Sequence, residues 1–305
     1  MRPVLSDDEA AALAREVLDV DRVELEAIAV GYGNVSWSVE SDRGRFVLKV
    51  GPRESAAKWA SGRVGMGLAT RVGVPTQRAV HFSVRDDRVV RAFEWVDGTM
   101  ARSLHDRPDA QARLGADLGQ AIATLHDVPR PSYSSRLEGS APTFARWDEY
   151  VHHRLAQIGA RVRATASVDE VTLARASVLA STLAGEVADS ARMALCHRDL
   201  HPDNLVVDDD GALRAILDWD MAEVWDQAGE WFKLDWMLFT ALPACRSAFE
   251  AAYDAIHPDR PEWARRVLVV DVLESLNAVA NAASEGWGSF GLAARERLDR
   301  LLDGR

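Results

Sequence analysis

Outside two helical stretches, the apolar residues of this chain recur at every second position between Val23 and Phe93 and at helical spacing beyond Gly98, and that change of period constrains the fold more than any other feature of the sequence. Segments 23–30, 35–40 and 45–50 alternate and are rich in β-branched residues, with Gly31-Tyr32-Gly33-Asn34 and Ser41-Asp42-Arg43-Gly44 between them as hairpin turns. A further hairpin, 79–84 and 89–93 around Asp86-Asp87, completes an expected five-stranded antiparallel sheet. Ser6 followed by Glu9 is a capping-box pattern, and Leu13, Val17 and Leu18 give a helix over 7–18 its apolar face. A second, glycine-interrupted helix is expected over 54–72, stopped by Gly73-Val74-Pro75.

Past Glu94-Trp95-Val96-Asp97-Gly98, the residues Leu114, Leu118, Ile122 and Leu125 share one face of a helix that ends near His126, where Pro129 and Pro131 break the chain. Helices are expected over 144–158 and 168–187, and again from 228 onward with joints at Pro243 and at Pro258 to Pro261. One isolated strand pair, 204–207 and 213–217 joined through Asp208-Asp209-Asp210-Gly211, interrupts them. The expected class is α+β in two lobes: an antiparallel β lobe over 1–98 and a larger, mostly α-helical lobe over 99–305.

Composition narrows the partners. At 48% apolar and 27% charged the chain reads as soluble and globular, which excludes disordered and collagen-like classes. The acidic start lacks the apolar stretch of a secretory signal, and nowhere do eighteen apolar residues run together, so a cytoplasmic protein without membrane contact is expected. A net charge of −11 argues against a nucleic-acid partner and accommodates a cationic or metal-bound substrate more easily. Cys196 and Cys245 lack metal-ligand spacing and read as buried thiols. Of the 36 basic residues only Lys49, Lys58 and Lys233 are lysines, so each marks a place where a compact ammonium serves better than a planar fork.

The most specific stretch is Leu195-Cys196-His197-Arg198-Asp199-Leu200-His201-Pro202-Asp203-Asn204, followed after the hairpin by Ile216-Leu217-Asp218-Trp219-Asp220. Its order, H-R-D-x-x-x-x-N, a short hairpin and an Asp at a strand end, is that of a kinase catalytic loop and its metal-binding Asp. Phosphoryl transfer accounts for the spacing. One Asp must orient or accept the proton of the attacking hydroxyl, while an Asn and a second Asp bind the Mg²⁺ ions that neutralise the nucleotide phosphates. Any one of these residues passes as an ordinary turn former; the ordered set does not.

The sequence resembles the aminoglycoside phosphotransferase and choline kinase-like family of small-molecule kinases. The likeness lies in the Leu200-His201-Pro202-Asp203-Asn204 form of the loop, in Ile216-Leu217-Asp218-Trp219-Asp220 in place of Asp-Phe-Gly, and in Glu223-Val224-Trp225-Asp226-Gln227-Ala228-Gly229-Glu230. It runs from about 23 to 230, and no Ala-Pro-Glu segment of a protein kinase follows. The resemblance implies a bilobal protein-kinase-like fold, ATP or GTP as donor, Mg²⁺ as cofactor and a small hydroxylated acceptor. It assigns Asp199 as base, Asn204 and Asp218 as metal ligands, and Lys49 as the group on the α- and β-phosphates. Gly31, Gly33, Asn34 and Ser36 match the nucleotide-covering turn, and Glu94 (carbonyl) and Val96 (amide) match the hinge that meets the base. In the family a carboxylate on the next helix orients the lysine, yet no Asp or Glu occurs between Ser55 and Arg85, which leaves Glu54 to fill that role or Asp218 and phosphate to hold Lys49 alone.

The acceptor wall is expected from residues C-terminal to the metal strand: Asp220, Glu223, Trp225, Glu230, Trp231 and a later helix carrying Asp271 and Glu274, with Asp226 as a brace of the catalytic loop or a substrate contact. Acidic and aromatic side chains together favour a bulky cationic acceptor. His197 and His201 are expected to brace Asp199 rather than bind metal. The functional expectation is a kinase for an antibiotic-like acceptor (an aminoglycoside, macrolide or basic peptide antibiotic), hence antibiotic resistance, in a monomer or homodimer. The alternatives are a choline, homoserine or sugar kinase, or a nucleotide-binding regulator without turnover, which would have no need of Asp199 as base.

Overall fold

The computed structural model describes residues 5–28 and 34–304, so Gly31 and Gly33 of the expected covering turn lie outside the described residues. Helix α1 (Asp7–Leu18) starts where its capping box places it: Ser6 N–H donates to Glu9 Oε2 at 2.8 Å and Glu9 N–H to Ser6 Oγ at 3.3 Å. Strands β1 (Val23–Ile28), β2 (Val35–Ser41), β3 (Gly44–Pro52), β4 (Ala79–Val84) and β5 (Arg88–Glu94) form an antiparallel sheet in the order β1-β2-β3-β5-β4. Because side chains alternate across a strand, this sheet has two different faces. Trp37, Leu48, Val50, Val90 and Ala92 pack on Ala10, Leu13, Ala14 and Leu18 of α1. The other face carries Ser36, Lys49 and Arg91, which stand opposite one another in register across β2, β3 and β5.

Helix α2 (Ala56–Arg71) lies on that second face, where Arg91 stacks 3.9 Å from the ring of Trp59. Its glycines, which make it look irregular in the sequence, have a packing purpose. A Cβ at Gly62 would sit 2.8 Å from Trp219 O, and one at Gly65 2.8 Å from Ala222 Cβ. The bare backbone therefore seats α2 against the turn that follows Asp218.

The remainder is mostly helical: α3 (Pro108–His126), α4 (Trp147–Thr165), α5 (Glu170–Val187), α6 (Trp231–Lys233), α7 (Phe239–Ala241), α8 (Cys245–Asp254), α9 (Trp263–Glu285) and α10 (Gly288–Leu302). The expectation of one isolated strand pair is corrected here. Strands β10 (Leu205–Val207) and β11 (Leu213–Ile216) are joined by β6 (Thr99–Met100), and a separate sheet runs β8 (Thr143–Phe144), β7 (Tyr133–Ser134), β12 (Glu223–Asp226), β9 (Met193–Cys196). These strands are two to four residues long, and β12 is buried at every position, so no period of two shows in them. The same pairing of 143–144 delays α4 to Trp147.

Two apolar clusters flank the catalytic segment. One gathers Leu114, Leu118, Ile122 and Phe249 around Leu195, Leu200, Leu205 and Ile216; the other gathers Tyr150, Ile158, Val269 and Leu273 around Ala194, Cys196 and Trp225. Each buried Leu or Ile contributes about 1.5–3 kcal/mol relative to exposure, so the loop between β9 and β10 is anchored at both ends by core residues.

Candidate active site

The loop from His197 to Asn204 is shaped from behind. Glu230, fully buried, accepts the backbone N–H of His197 and that of Arg198, the latter at 2.8 Å. The Arg198 guanidinium lies 3.6 Å from the Trp225 ring, donates to Gly229 O at 2.9 Å and pairs with Glu274 at 2.8 Å. Arg198 itself has φ +70°, a left-handed conformation that costs a non-glycine residue about 1–3 kcal/mol and is held by these fixed partners. The turn so formed presents Asp199 to the cleft.

Asp199 is oriented from all sides. Its N–H donates to His197 Nδ1 at 3.2 Å, and the other ring nitrogen of His197 lies 2.9 Å from Leu217 O. Asn204 Nδ2 donates to Asp199 O at 2.9 Å and to Oδ2 at 3.1 Å. Lys233 Nζ stands 3.1 Å from Oδ1, and His201 Nε2 3.7 Å from Oδ2. Burial alone would raise the carboxyl, but Lys233, His201 and His197 outweigh it and hold Asp199 well below the usual carboxylate range. The carboxylate keeps 23% of its side chain exposed.

Asp218 follows β11, also in a left-handed conformation (φ +57°). Leu217 N–H donates to Asn204 O at 2.8 Å, so the strand pairing sets Asp218 beside Asn204. Lys49 Nζ lies 3.6 Å from Asp218 Oδ2 and Arg91 Nη2 3.6 Å from Oδ1. Burial opposes ionisation, and Lys49 and Arg91 override it, keeping Asp218 well below its ordinary value. Its Oδ1 is buried without a hydrogen-bond partner. Asn204 has its amide nitrogen committed to Asp199, which leaves its amide oxygen to act as a ligand. An all-oxygen donor set of this kind fits Mg²⁺.

On the donor side, Ser36 is buried and stands opposite Lys49, and Asn34 lies over β3, where a Cβ at Gly51 would come within 2.8 Å of its Oδ1. Glu94 and Val96 lie where the chain leaves β5 for the helical lobe; Glu94 N–H donates to Arg78 O at 2.9 Å and its carboxylate takes the Arg78 side chain. Glu54 is a correction. It is exposed in the turn Arg53–Ser55, before α2 begins, and Lys49 is paired with Asp218 instead. Trp59, buried against Gly51, lines the same cavity as Lys49, Arg91 and Asp218. Arg91, stacked on Trp59, completes the arrangement with a bidentate pair to Asp220 at 2.5 and 2.7 Å.

The expected acceptor wall is corrected more broadly, because its side chains are spent inside the protein. Asp220 serves Arg91. Glu223 takes the Trp225 indole N–H and lies 3.4 Å from Tyr150 OH. Trp225 is fully buried against Trp147 and Tyr150, and Trp231 packs edge-on against Phe249, Tyr253 and Trp263. Glu230 and Glu274 brace the catalytic loop, and Asp271 pairs with Arg297 at 2.8 Å. Asp226 is the brace rather than the contact: it accepts Arg192 N–H at 2.7 Å and Ala228 N–H at 2.9 Å and pairs with buried Arg266 at 2.7 Å. A buried trio of metal-ligating types, His126, Cys196 and Glu230, lies behind the loop, where the carboxylate is already committed to backbone amides.

Sequence reasoning missed three side chains at the site. Arg91 is one of many arginines and carries no distinguishing signal; Arg198 carried one, its place in the H-R-D order, and Lys233 another, its rarity.

Solved structures share this fold at low identity. An aminoglycoside phosphotransferase APH(4)-Ia in a ternary complex with ADP and hygromycin B aligns with a TM-score of 0.71 at 15% identity, over 96% of this chain and 97% of that one. A macrolide 2′-phosphotransferase type I gives 0.63 at 16% identity over 97% and 98%, and a candidate fructosamine-3-kinase from Haemophilus somnus 129PT gives 0.71 at 11% identity over 96% of each. No curated protein sequence matches the chain. The model of the phosphotransferase enzyme family matches residues 24–266, and with Asp199, Asn204, Asp218 and Lys49 gathered on one cleft the chain belongs to that family.

Proposed function

We propose that the chain transfers the γ-phosphoryl group of ATP to a hydroxyl of a small, antibiotic-like or sugar-like acceptor. The observation that carries this is the ionised Asp199 carboxylate, partly exposed and fixed by Asn204, near an Asp218 whose buried oxygen lacks a hydrogen-bond partner and whose charge is matched by Lys49 and Arg91. ADP in the hygromycin B complex of the similar aminoglycoside enzyme supports ATP as donor.

The residues then divide the work. Lys49 holds the donor phosphates, and Ser36 and Asn34 add donors above them. Asn204 and Asp218 would hold Mg²⁺, which when bound supplies positive charge to the phosphate oxygens. Asp199 accepts a hydrogen bond from the acceptor hydroxyl and takes its proton as the oxygen attacks phosphorus. The carboxylates expected to select a bulky cationic acceptor are inside the protein, so the acceptor is recognised by other groups, among them the half-buried Trp236, stacked on Phe290 with centroids 4.9 Å apart.

The test is ADP release from Mg²⁺-ATP against a panel of aminoglycosides, macrolides and fructosamines. Acceptor-dependent turnover, absent in Asp199→Ala, is expected. A chain that binds nucleotide but phosphorylates no member of a broad hydroxylated panel would instead be a regulator.

A further inference from the structure

Lys233 is not accounted for by the donor site or by the metal ligands. It is one of three lysines in the chain. It ends α6, and directly after it the helix widens into a π turn over Leu234–Leu238, a local irregularity often found at functional sites. Its ammonium lies beside Met237, whose Sδ is 3.6 Å from Nζ, and over Phe290, whose ring centroid is 6.0 Å away. From there the ammonium reaches the base across the loop, 3.1 Å from Asp199 Oδ1, with 21% of the side chain exposed.

Resting on the phosphotransferase reading, we infer that Lys233 is a positioning residue of the transfer step, fixing the base carboxylate from the acceptor side and matching its charge while a triphosphate occupies the cleft. A carboxylate has about four lone-pair sites. Asn204 donates to Oδ2 and the Lys233 ammonium stands against Oδ1, so the carboxylate is held at both oxygens and keeps further lone pairs for a hydroxyl. The reaction also requires an anionic base beside an anionic donor. Lys49 and Arg91 lie on the Asp218 side, whereas Lys233 is the lysine beside Asp199 among the described residues.

The test compares Lys233→Met and Lys233→Arg with the native chain. Three quantities are measured: ADP release from Mg²⁺-ATP with water alone and with the fastest acceptor of the panel, Mg²⁺-ADP affinity by calorimetry, and the thermal transition. The expected result is a kcat lowered at least tenfold in Lys233→Met, with nucleotide affinity within twofold of native, and most of kcat recovered in Lys233→Arg. Lys233→Gln replaces the Met variant if that one loses its thermal transition. Native-like kcat in the neutral variant overturns the inference. So does a parallel loss of nucleotide affinity, which would place Lys233 in the donor site, or an Arg variant no better than the neutral one. A native chain with no ADP release under any of these conditions overturns the inference together with the phosphotransferase reading, whereas native turnover indifferent to residue 233 overturns it alone.

Discussion

Asp199 and Asp218 on one side, and Asp226 and Glu230 on the other, come from the same stretch of chain and end in opposite electrostatic situations. Asp226 and Glu230 have no exposed surface, and both oxygens of each are taken by backbone amides, with Arg266 added at Asp226. Asp199 and Asp218 keep 23% and 34% of their side chains exposed and are matched by the ammonium groups of Lys233 and Lys49. A carboxylate whose lone pairs are filled by fixed donors is a structural anchor. One whose charge is balanced but whose coordination is incomplete can still bind a proton, a metal or a substrate hydroxyl. What separates reactive acids from bracing acids here is the number of rigid donors already around them.

Substitutions can break that division. Asp199→Ala is expected to lower turnover by roughly 10²–10⁴-fold, the usual worth of a general base, while Mg²⁺-nucleotide affinity and the thermal transition stay near native. Equal losses in binding and turnover would put Asp199 on the donor side. Asp226→Ala should act in the reverse sense, costing about 3–5 kcal/mol in urea unfolding because it strands the buried Arg266 charge. If this variant remained as stable as the native chain and lost only activity, Asp226 would belong with the reactive acids.

Asp218→Asn is expected to lower Mg²⁺-nucleotide affinity about 10–100-fold and turnover with it, measured by calorimetry with and without Mg²⁺. The acid limb of stability sharpens the comparison further. Burial would raise Glu230, but the neighbouring imidazole of His126, its Nε2 3.9 Å away, then His197 and the Arg198 amide, bring it below its ordinary 4.5. A depressed folded value means the unfolded chain binds the proton first, so Glu230 stabilises the fold above the ordinary carboxylate value and that contribution is lost as pH falls through its lower folded value. Unfolding midpoints of Glu230→Gln should therefore lose less between neutral pH and pH 3 than those of the native chain. The smallest effect is at Glu54: Glu54→Gln should leave nucleotide KM and kcat unchanged and stability within about 0.5 kcal/mol, and a raised KM would restore the pairing with Lys49 that the structure does not show.

The meeting of Asp199, Asn204, Asp218 and Lys49 was legible because it is written in residues close in sequence with rigid spacing. Asp199 to Asn204 is one loop, Asp218 is a hairpin away, and Lys49 sits in an alternating strand whose register the period of two sets. The capping box of α1 was legible for the same reason, being a local exchange of two hydrogen bonds. The acceptor half was not, because burial decides it and burial is a long-range property. Glu274 is 76 positions from its partner Arg198, and Arg91 is 129 from Asp220, so nothing near either acid in the sequence announces a waiting cation. Short buried strands such as Glu223–Asp226 lack alternation for a related reason: with both faces covered there is no polar side to reveal the period.

The pair between Arg91 and Asp220 has a mechanical meaning as well. Arg91 belongs to the small sheet and Asp220 to the turn after Asp218, and each side chain is 7% exposed. A hinge movement wide enough to part them would leave two bare charges in a poorly hydrated interior, an outcome far more costly than separating a surface pair. The pair is thus a tie at the inner end of the cleft, joining the small sheet to the turn after Asp218 through two buried charges that are costly to part.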